Sequence, residues 1–239
     1  MRASAPPPPR PTAAVALIAA AGSGERLGAG GPKALVEVGG RPLLAWSLEA
    51  FARSSSFESV VVAAPAGFEA EVREVAADAL LAVEVVTGGA TRAESVSGAL
   101  AAAPATELIA VHDAARPLVT VELIDALVAT LVERSDAGGV VPAAAITDTI
   151  KRARRDGAIV ATEDRSELWA AQTPQLFRAD ALRAAHAGHP ASVAAATDDA
   201  MLVEASGATV LIEPTTAENF KVTTAADLRH ADLVLNERT

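Results

Sequence analysis

The sequence predicts an α/β fold with a mostly parallel sheet flanked by helices, and three observations carry that prediction. Short β-branched runs alternate with Ala- and Leu-rich stretches at helical spacing from residue 15 to residue 143. The runs are apolar throughout, which implies burial on both faces and hence parallel strands joined by helical crossovers. A glycine-rich segment directly follows the first run, at the kind of strand end where such sheets hold their ligands.

The first strand is expected at 15–19 and the glycine-rich loop at 22–31. Pro42 is placed to open a helix through about residue 52, with Leu43, Leu44, Ser47, Leu48 and Phe51 at helical spacing. Further strands are expected at 60–64, 83–87, 108–111 and 140–143, with helices at 69–81, 91–102 and 121–134 between them. Residues 147–172 break this rhythm. They are polar, and Asp156-Gly157 stands between alternating segments at 149–153 and 159–163, the pattern of a tight hairpin. A polar hairpin cannot bury itself, so it is expected to project as an arm and pair with a second subunit. Helices follow at 179–186 and 198–205, then a strand at 209–212 and a last helix from 225 to about 236. The sequence stops soon afterwards, so no fused downstream domain is expected. Residues 1–12, with prolines at 6–9 and no apolar run, read as a disordered tail ahead of one domain at 13–239.

A chain of 239 residues can bury a substantial core without staples. Apolar residues make up 51% of it but aromatic ones only 3%, so Ala, Val and Leu must do most of the packing. The absence of cysteine excludes disulfides, thiolate nucleophiles and Cys-based metal sites. A net charge of −10 argues against DNA or RNA as a partner, because phosphate backbones need a broad basic face. The longest apolar stretch, 13–21, is too short to span a bilayer. A soluble cytoplasmic protein without a membrane partner is expected. Of the 20 basic residues only Lys33, Lys151 and Lys221 are lysines. A lysine kept in so arginine-rich a chain either sits where a compact ammonium is needed or is there by chance.

Four segments bear chemistry. The first is Ala19-Ala20-Ala21-Gly22-Ser23-Gly24-Glu25-Arg26-Leu27-Gly28, closing with Pro32-Lys33. Glycines after a strand let backbone N–H groups cradle phosphate oxygens, and Arg26 and Lys33 add the charge a triphosphate needs. No Gly-Lys-Ser/Thr follows, so it is not a Walker A loop, and the third glycine comes one residue late for a dinucleotide fingerprint. The second is His112-Asp113-Ala114-Ala115-Arg116-Pro117 at the end of the fourth strand. Asp113 there either holds Mg²⁺ (or another divalent cation) against phosphate oxygens or caps the next helix with Arg116 as its ion-pair partner. The third, Gly88-Gly89-Ala90-Thr91-Arg92-Ala93-Glu94-Ser95, permits a flat base to lie on backbone and also fits a capping box of Thr91 and Glu94. The fourth, Glu218-Asn219-Phe220-Lys221-Val222-Thr223, puts Lys221 near a helix start that Thr224 and Asp227 would cap. There is no Gly-x-Ser-x-Gly elbow, and His112, His186, His189 and His230 lack zinc-ligand spacing. No general base is needed if the nucleophile is a phosphate monoester, whose second pKa near 6 leaves it ionised. Catalysis is then positioning plus charge neutralisation.

In this order the segments resemble the 2-C-methyl-D-erythritol 4-phosphate cytidylyltransferases of the non-mevalonate isoprenoid pathway. The resemblance spans about 15–235 and adds Asp148-Thr149-Ile150-Lys151, Gln172-Thr173-Pro174-Gln175 and Thr197-Asp198-Asp199-Ala200 to the segments above. It implies a homodimer of Rossmann-like nucleotidyltransferase domains whose arms reach the partner's site, and substrates CTP and a sugar-alcohol phosphate. By the same resemblance Arg26, Lys33 and Lys221 are catalytic. Ala20, Ala21, Gly22, Gly24, Gly89 and Ser95 shape the nucleotide pocket, and Asp113 meets ribose and Mg²⁺. Arg116, Thr197 and Lys221 face the methylerythritol phosphate, joined by Thr149 and Arg165 from the other subunit. Ala90 stands where many relatives carry an acidic residue, and Glu25 where some carry a basic one. The rivals are the same chemistry on ribitol 5-phosphate, a non-catalytic nucleotide-binding regulator, and an NAD-dependent oxidoreductase, the last disfavoured by its glycine spacing.

Overall fold

The structure, a computed structural model, describes residues 13–24, 27, 31–188 and 190–238. The expected tail at 1–12 lies outside these residues, as do Glu25, Arg26 and Gly28.

Strand β1 (Ala14–Ala19) is paired in parallel with β4 (Phe57–Ala64) on one side and β6 (Leu108–Asp113) on the other, and β5 (Ala82–Thr87) extends the sheet beyond β4. The chain therefore runs outward from β1 to β5 and then returns to its opposite side. That reversal parts the loops after β1 and β6 and opens a crevice at their carboxyl ends.

Residues alternate in β1 between two cores, as the pleat requires. Ala14, Ala16 and Ile18 face the cluster completed by α1 (Leu43–Arg53), α2 (Glu69–Ala76) and α4 (Val121–Glu133). Val15 and Leu17 face the cluster filled from α3 (Arg92–Ala102), α5 (Ala179–His186), α6 (Pro190–Ala195) and α7 (Asp199–Ala205). The helical spacing noted for residues 43–51 is the buried stripe of α1, which includes Leu43, Leu44, Ser47, Leu48 and Phe51. Helix α2 ends at Ala76 rather than 81, and Leu80 beyond it is exposed.

The sheet is not wholly parallel. Strand β7 (Ala137–Ala145) follows α4 but is separated from β6 by β11 (Gln175–Arg178), which runs antiparallel to both. Strand β10 (Trp169–Ala171) pairs antiparallel with the end of β7, and β12 (Thr209–Pro214) lies parallel along β7's other edge. The chain leaves β7, forms the arm and comes directly back, so the returning strand has to be antiparallel. Phe177 of β11 presses on Gly139 of β7, where a Cβ would stand 2.4 Å from its ring.

The arm is the hairpin of β8 (Lys151–Ala153) and β9 (Ile159–Thr162), a separate two-stranded sheet. Gly157 takes φ +85 in its turn, as Asp-Gly predicts, and Arg154 N–H donates to Ala158 O across the turn. As well as β10, β11 and α6, the short strands β2 (Glu37–Val38) and β3 (Arg41–Pro42) are unanticipated. They pack with the last helix α8 (Ala225–Arg238) through Val38, Leu43, Leu118, Ala231 and Leu235. Among the described residues no helix is long and apolar enough to cross a membrane.

Candidate active site

The loop after β1 folds back on itself. Lys33 N–H donates to Gly22 O at 3.1 Å, and Leu27 N–H donates to Gly24 O at 2.8 Å. Gly24 has φ +73, and a Cβ there would stand 2.9 Å from Gly31 O, so the closure requires glycine. Lys33 begins one turn of 3-10 helix whose Ala34 is buried, which anchors its backbone at the rim of the crevice.

The loop after β5 supplies the facing wall. Thr91 and Glu94 form the capping box that the sequence predicts at the start of α3. Ser95 Oγ accepts from Gly89 N–H at 3.1 Å and donates to Thr91 O at 2.9 Å. A Cβ on Gly88 would lie 2.5 Å from Ala21 Cβ, and one on Gly89 would lie 2.3 Å from Glu94 Cβ. Only side-chain-free backbone lets the two loops approach this closely.

Asp113, at the end of β6, is the electrostatic centre. Its Oδ1 accepts from Arg92 Nε at 2.9 Å, its Oδ2 accepts from Lys221 Nζ at 2.7 Å, and its N–H donates to Thr173 Oγ1 at 3.0 Å. The alternative in which Asp113 caps the next helix with Arg116 as its partner is not what the structure shows, since Arg116 Nη1 donates instead to Asn219 O at 2.7 Å. The cap of α4 is Thr120, accepting from Leu123 N–H. Arg92 was missed as a site residue. The signal was an arginine in the first turn of a predicted helix, where the helix dipole disfavours a cation unless carboxylates hold it.

Behind Asp113 two buried chains of hydrogen bonds converge. His112 joins Ser47 Oγ at 3.2 Å and Thr173 Oγ1 at 3.0 Å. Arg92 Nη1 donates to Asp199 Oδ2 at 2.7 Å, and Asp199 Oδ1 meets His186 Nε2 at 2.9 Å. Burial pushes the His112 imidazole down to about 3, more than neighbouring Asp113 can restore, so it is neutral near pH 7. Burial by itself would raise the Asp113 carboxyl, but the charges of Arg92 and Lys221 outweigh it and hold the group well below the usual carboxylate range. Burial likewise opposes the charge on Arg92, and Asp199 and Asp113 more than offset it.

The crevice measures about 600 Å³. It gathers Ala20, Ala21, Gly22, Gly24, Lys33, Gly89, Ser95, Asp113 and Lys221, drawn from four separate segments. The charged residues among its described lining are Lys33, Arg92, Lys221 and Asp113. A surplus of cations in a chain of net charge −10 suits a polyanionic ligand. Other predicted site residues do not line it. Arg116 is committed to backbone carbonyls beside it, and Thr197 is exposed ahead of α7. Thr149 and Arg165 are exposed on the arm, where the Arg165 guanidinium donates to Thr147 O. Arg26 lies outside the described residues.

A mostly parallel, helix-flanked sheet with a cationic, glycine-walled crevice at its switch point defines a Rossmann-like nucleotidyltransferase. Comparison with known proteins narrows the class: the family described as IspD, 2-C-methyl-D-erythritol 4-phosphate cytidylyltransferase, matches residues 14–237. This chain belongs to that family. A Frankia casuarinae protein named 2-C-methyl-D-erythritol 4-phosphate cytidylyltransferase is 44% identical over 221 residues, covering 92% of this chain and 80% of the relative. The crystal structure of 4-diphosphocytidyl-2C-methyl-D-erythritol synthase from Anaerococcus prevotii superposes with a TM-score of 0.81 at 28% identity, covering 94% of this chain and 99% of that one. That of 2-C-methyl-D-erythritol 4-phosphate cytidylyltransferase from Thermus thermophilus gives a TM-score of 0.75 at 34% identity, covering 93% and 98%.

Proposed function

We propose that this chain transfers the cytidylyl group of CTP to 2-C-methyl-D-erythritol 4-phosphate, releasing pyrophosphate and forming 4-diphosphocytidyl-2-C-methyl-D-erythritol for isoprenoid precursor synthesis. The observation that carries the reading is the crevice in which Lys33 and the Asp113–Lys221 pair face glycine-rich backbone. A phosphate oxygen of the sugar alcohol attacks the α-phosphorus of CTP. The bond from that phosphorus to the bridging oxygen breaks, and its electron pair leaves with pyrophosphate. The monoester is already ionised at neutral pH, so no side chain need take a proton. Lys33, joined in this reading by Arg26, offsets the charge growing on the leaving group. Ala20, Ala21, Gly22, Gly24, Gly89 and Ser95 hold the nucleotide, Asp113 its ribose, and Lys221 lies between the two substrates.

Mg²⁺ or another divalent cation belongs to the same reading and would be held by Asp113. Its Oδ1 and Oδ2 already accept from Arg92 and Lys221, so the ion would have to use their remaining lone pairs or displace Lys221. Asp113 is ionised and borders the crevice, and among the described residues no group of three or more His, Cys, Asp or Glu is gathered to cage an ion unaided. Mg²⁺ characteristically takes one or two carboxylates plus substrate phosphates, which suits this single carboxylate. When bound it supplies charge neutralisation to the phosphate oxygens.

The second substrate falls to Arg116, Thr197 and Lys221 of one subunit and to Thr149 and Arg165 of its partner's arm. Homodimerisation is supported by the exposed apolar residues the arm carries, Ile159 and Val160, with Trp169 at its base. The reaction belongs in the cytoplasm, where CTP is held, with no role for nucleic acid.

Pyrophosphate release from CTP and Mg²⁺ tests the reading, with 2-C-methyl-D-erythritol 4-phosphate and ribitol 5-phosphate offered in parallel. Turnover with the first alone is expected. Turnover only with the second keeps the mechanism and overturns the substrate, and silence with both overturns the enzyme. Size-exclusion chromatography with light scattering is expected to report a dimer.

A further inference from the structure

We infer that Arg92, held from behind by Asp199 and His186, is a positioning residue for the nucleotide: it fixes the orientation of Asp113, and through it Lys221, in the crevice. The inference rests on the reading of this crevice as the CTP site.

Arg92 spans two carboxylates from different parts of the chain. Its Nε donates to Asp113 Oδ1 at 2.9 Å and its Nη1 to Asp199 Oδ2 at 2.7 Å. A planar guanidinium fixes the angle between two such bonds, so the Asp113 carboxylate is set by where Asp199 sits. Asp199 is itself locked. It opens α7 with a side chain only 2% exposed, and its Oδ1 meets His186 Nε2 at 2.9 Å. The other ring nitrogen of His186 meets Ser97 Oγ at 3.0 Å. Ser97 and Arg92 both stand on α3, so the chain of contacts closes on the helix from which it began.

A purely structural role does not account for this arrangement. Helices α3, α5 and α7 already share an apolar core, and burying charges among them carries a desolvation cost that hydrophobic residues would avoid. Of the side chains in the ring, Arg92 alone borders the crevice, and the carboxylate it holds there is Asp113. Lys221 grips that carboxylate's other oxygen at 2.7 Å, so displacing Asp113 displaces the ammonium too. Asp199 does not line the crevice, which makes it a probe of transmission rather than of contact.

The test is titration calorimetry of CTP with Mg²⁺ into the wild-type protein, Arg92→Lys and Asp199→Asn, with KM for each substrate measured alongside. Lysine keeps the charge but cannot bridge both carboxylates, and asparagine weakens the rear anchor. Loss of one charge-assisted hydrogen bond corresponds to about tenfold or more in affinity. The expected result is a Kd for CTP raised about tenfold in Arg92→Lys and severalfold in Asp199→Asn, with KM for the sugar-alcohol phosphate rising alongside because Lys221 also faces that substrate. Irreversibly misfolded protein lowers the number of sites titrated rather than the Kd. Reversible unfolding large enough to raise the apparent Kd tenfold would leave only about a tenth of the free variant folded, which circular dichroism reads directly, so a structural role alone gives a different outcome. Wild-type affinity in either variant, with the wild-type protein binding CTP, overturns the inference. Failure of the wild-type protein to bind CTP overturns the reading beneath it and the inference together.

Discussion

The ammonium of Lys221 lies 2.7 Å from Oδ2 of Asp113, a residue 108 positions earlier in the chain. The pair joins the segment before α8 to the end of β6 and puts a cation beside a carboxylate on the crevice wall. The Lys221 side chain is 42% exposed, so it contributes little to the fold and is available to a ligand. Lys221→Met is expected to lower kcat about 10²–10³-fold, the usual cost of one electrostatic stabiliser, with the melting temperature little changed. Pyrophosphate release and a thermal melt on the same preparation check both halves.

Lys33 and Thr149 should separate chemistry from recognition. Lys33→Ala is expected to remove most of kcat, because in the proposed mechanism its ammonium offsets the charge on the leaving group. Thr149→Ala, on the exposed arm, is expected mainly to raise KM for the sugar-alcohol phosphate. Steady-state kinetics with each substrate varied in turn decides; an unchanged kcat in Lys33→Ala sinks its assignment.

His112 should make the fold sensitive to mild acid. Its imidazole titrates near 3 in the folded chain, against about 6.5 when unfolded. Below pH 6.5 the unfolded chain takes up a proton that the folded one refuses, so stability falls as pH drops from 6.5 towards 3. The slope approaches about 1.4 kcal/mol per pH unit. His112→Gln carries no titrating group and should flatten the loss by about 2 kcal/mol between pH 6.5 and 5. Urea unfolding of both proteins at those two pH values is the measurement.

Gly89→Ala should strain the wall of the crevice. Its Cβ would meet Glu94 Cβ at 2.3 Å, inside the capping box of α3. Overpacking of this kind costs about 1–3 kcal/mol, or a fall in melting temperature of about 2–10 °C for a chain of this size. KM for CTP should rise as well, since Ser95 Oγ, which accepts from Gly89 N–H, moves with the strained turn. A melt matching the wild type would show that α3 can shift without cost.

The architecture was legible wherever local chemistry decides it. The apolar run of β1, the glycines after it, the Thr91–Glu94 cap and the Asp156-Gly157 turn each name their own structure within a few residues. The lysine count was informative too: Lys33 and Lys221 line the crevice, while Lys151 bonds Thr162 on the arm. Strand β11 was not legible, because four residues are too few for a period and an apolar run carries no mark of its direction. The short strands β2 and β3 escaped for the same reason.

The sequence by itself determined the fold class, the two glycine loops and which residues carry charge near strand ends, because propensity, turn chemistry and burial pattern act over a few neighbours. Only the tertiary structure decided who holds Asp113. Arg116, three positions along, was the natural partner by proximity, but Arg92 and Lys221, 21 and 108 positions away, take the carboxylate. The sheet reverses direction at β1, and that reversal brings the loops after β5 and β6 and the segment before α8 to one point in space. Pairing across such distances depends on the order of strands, which no local run of residues contains.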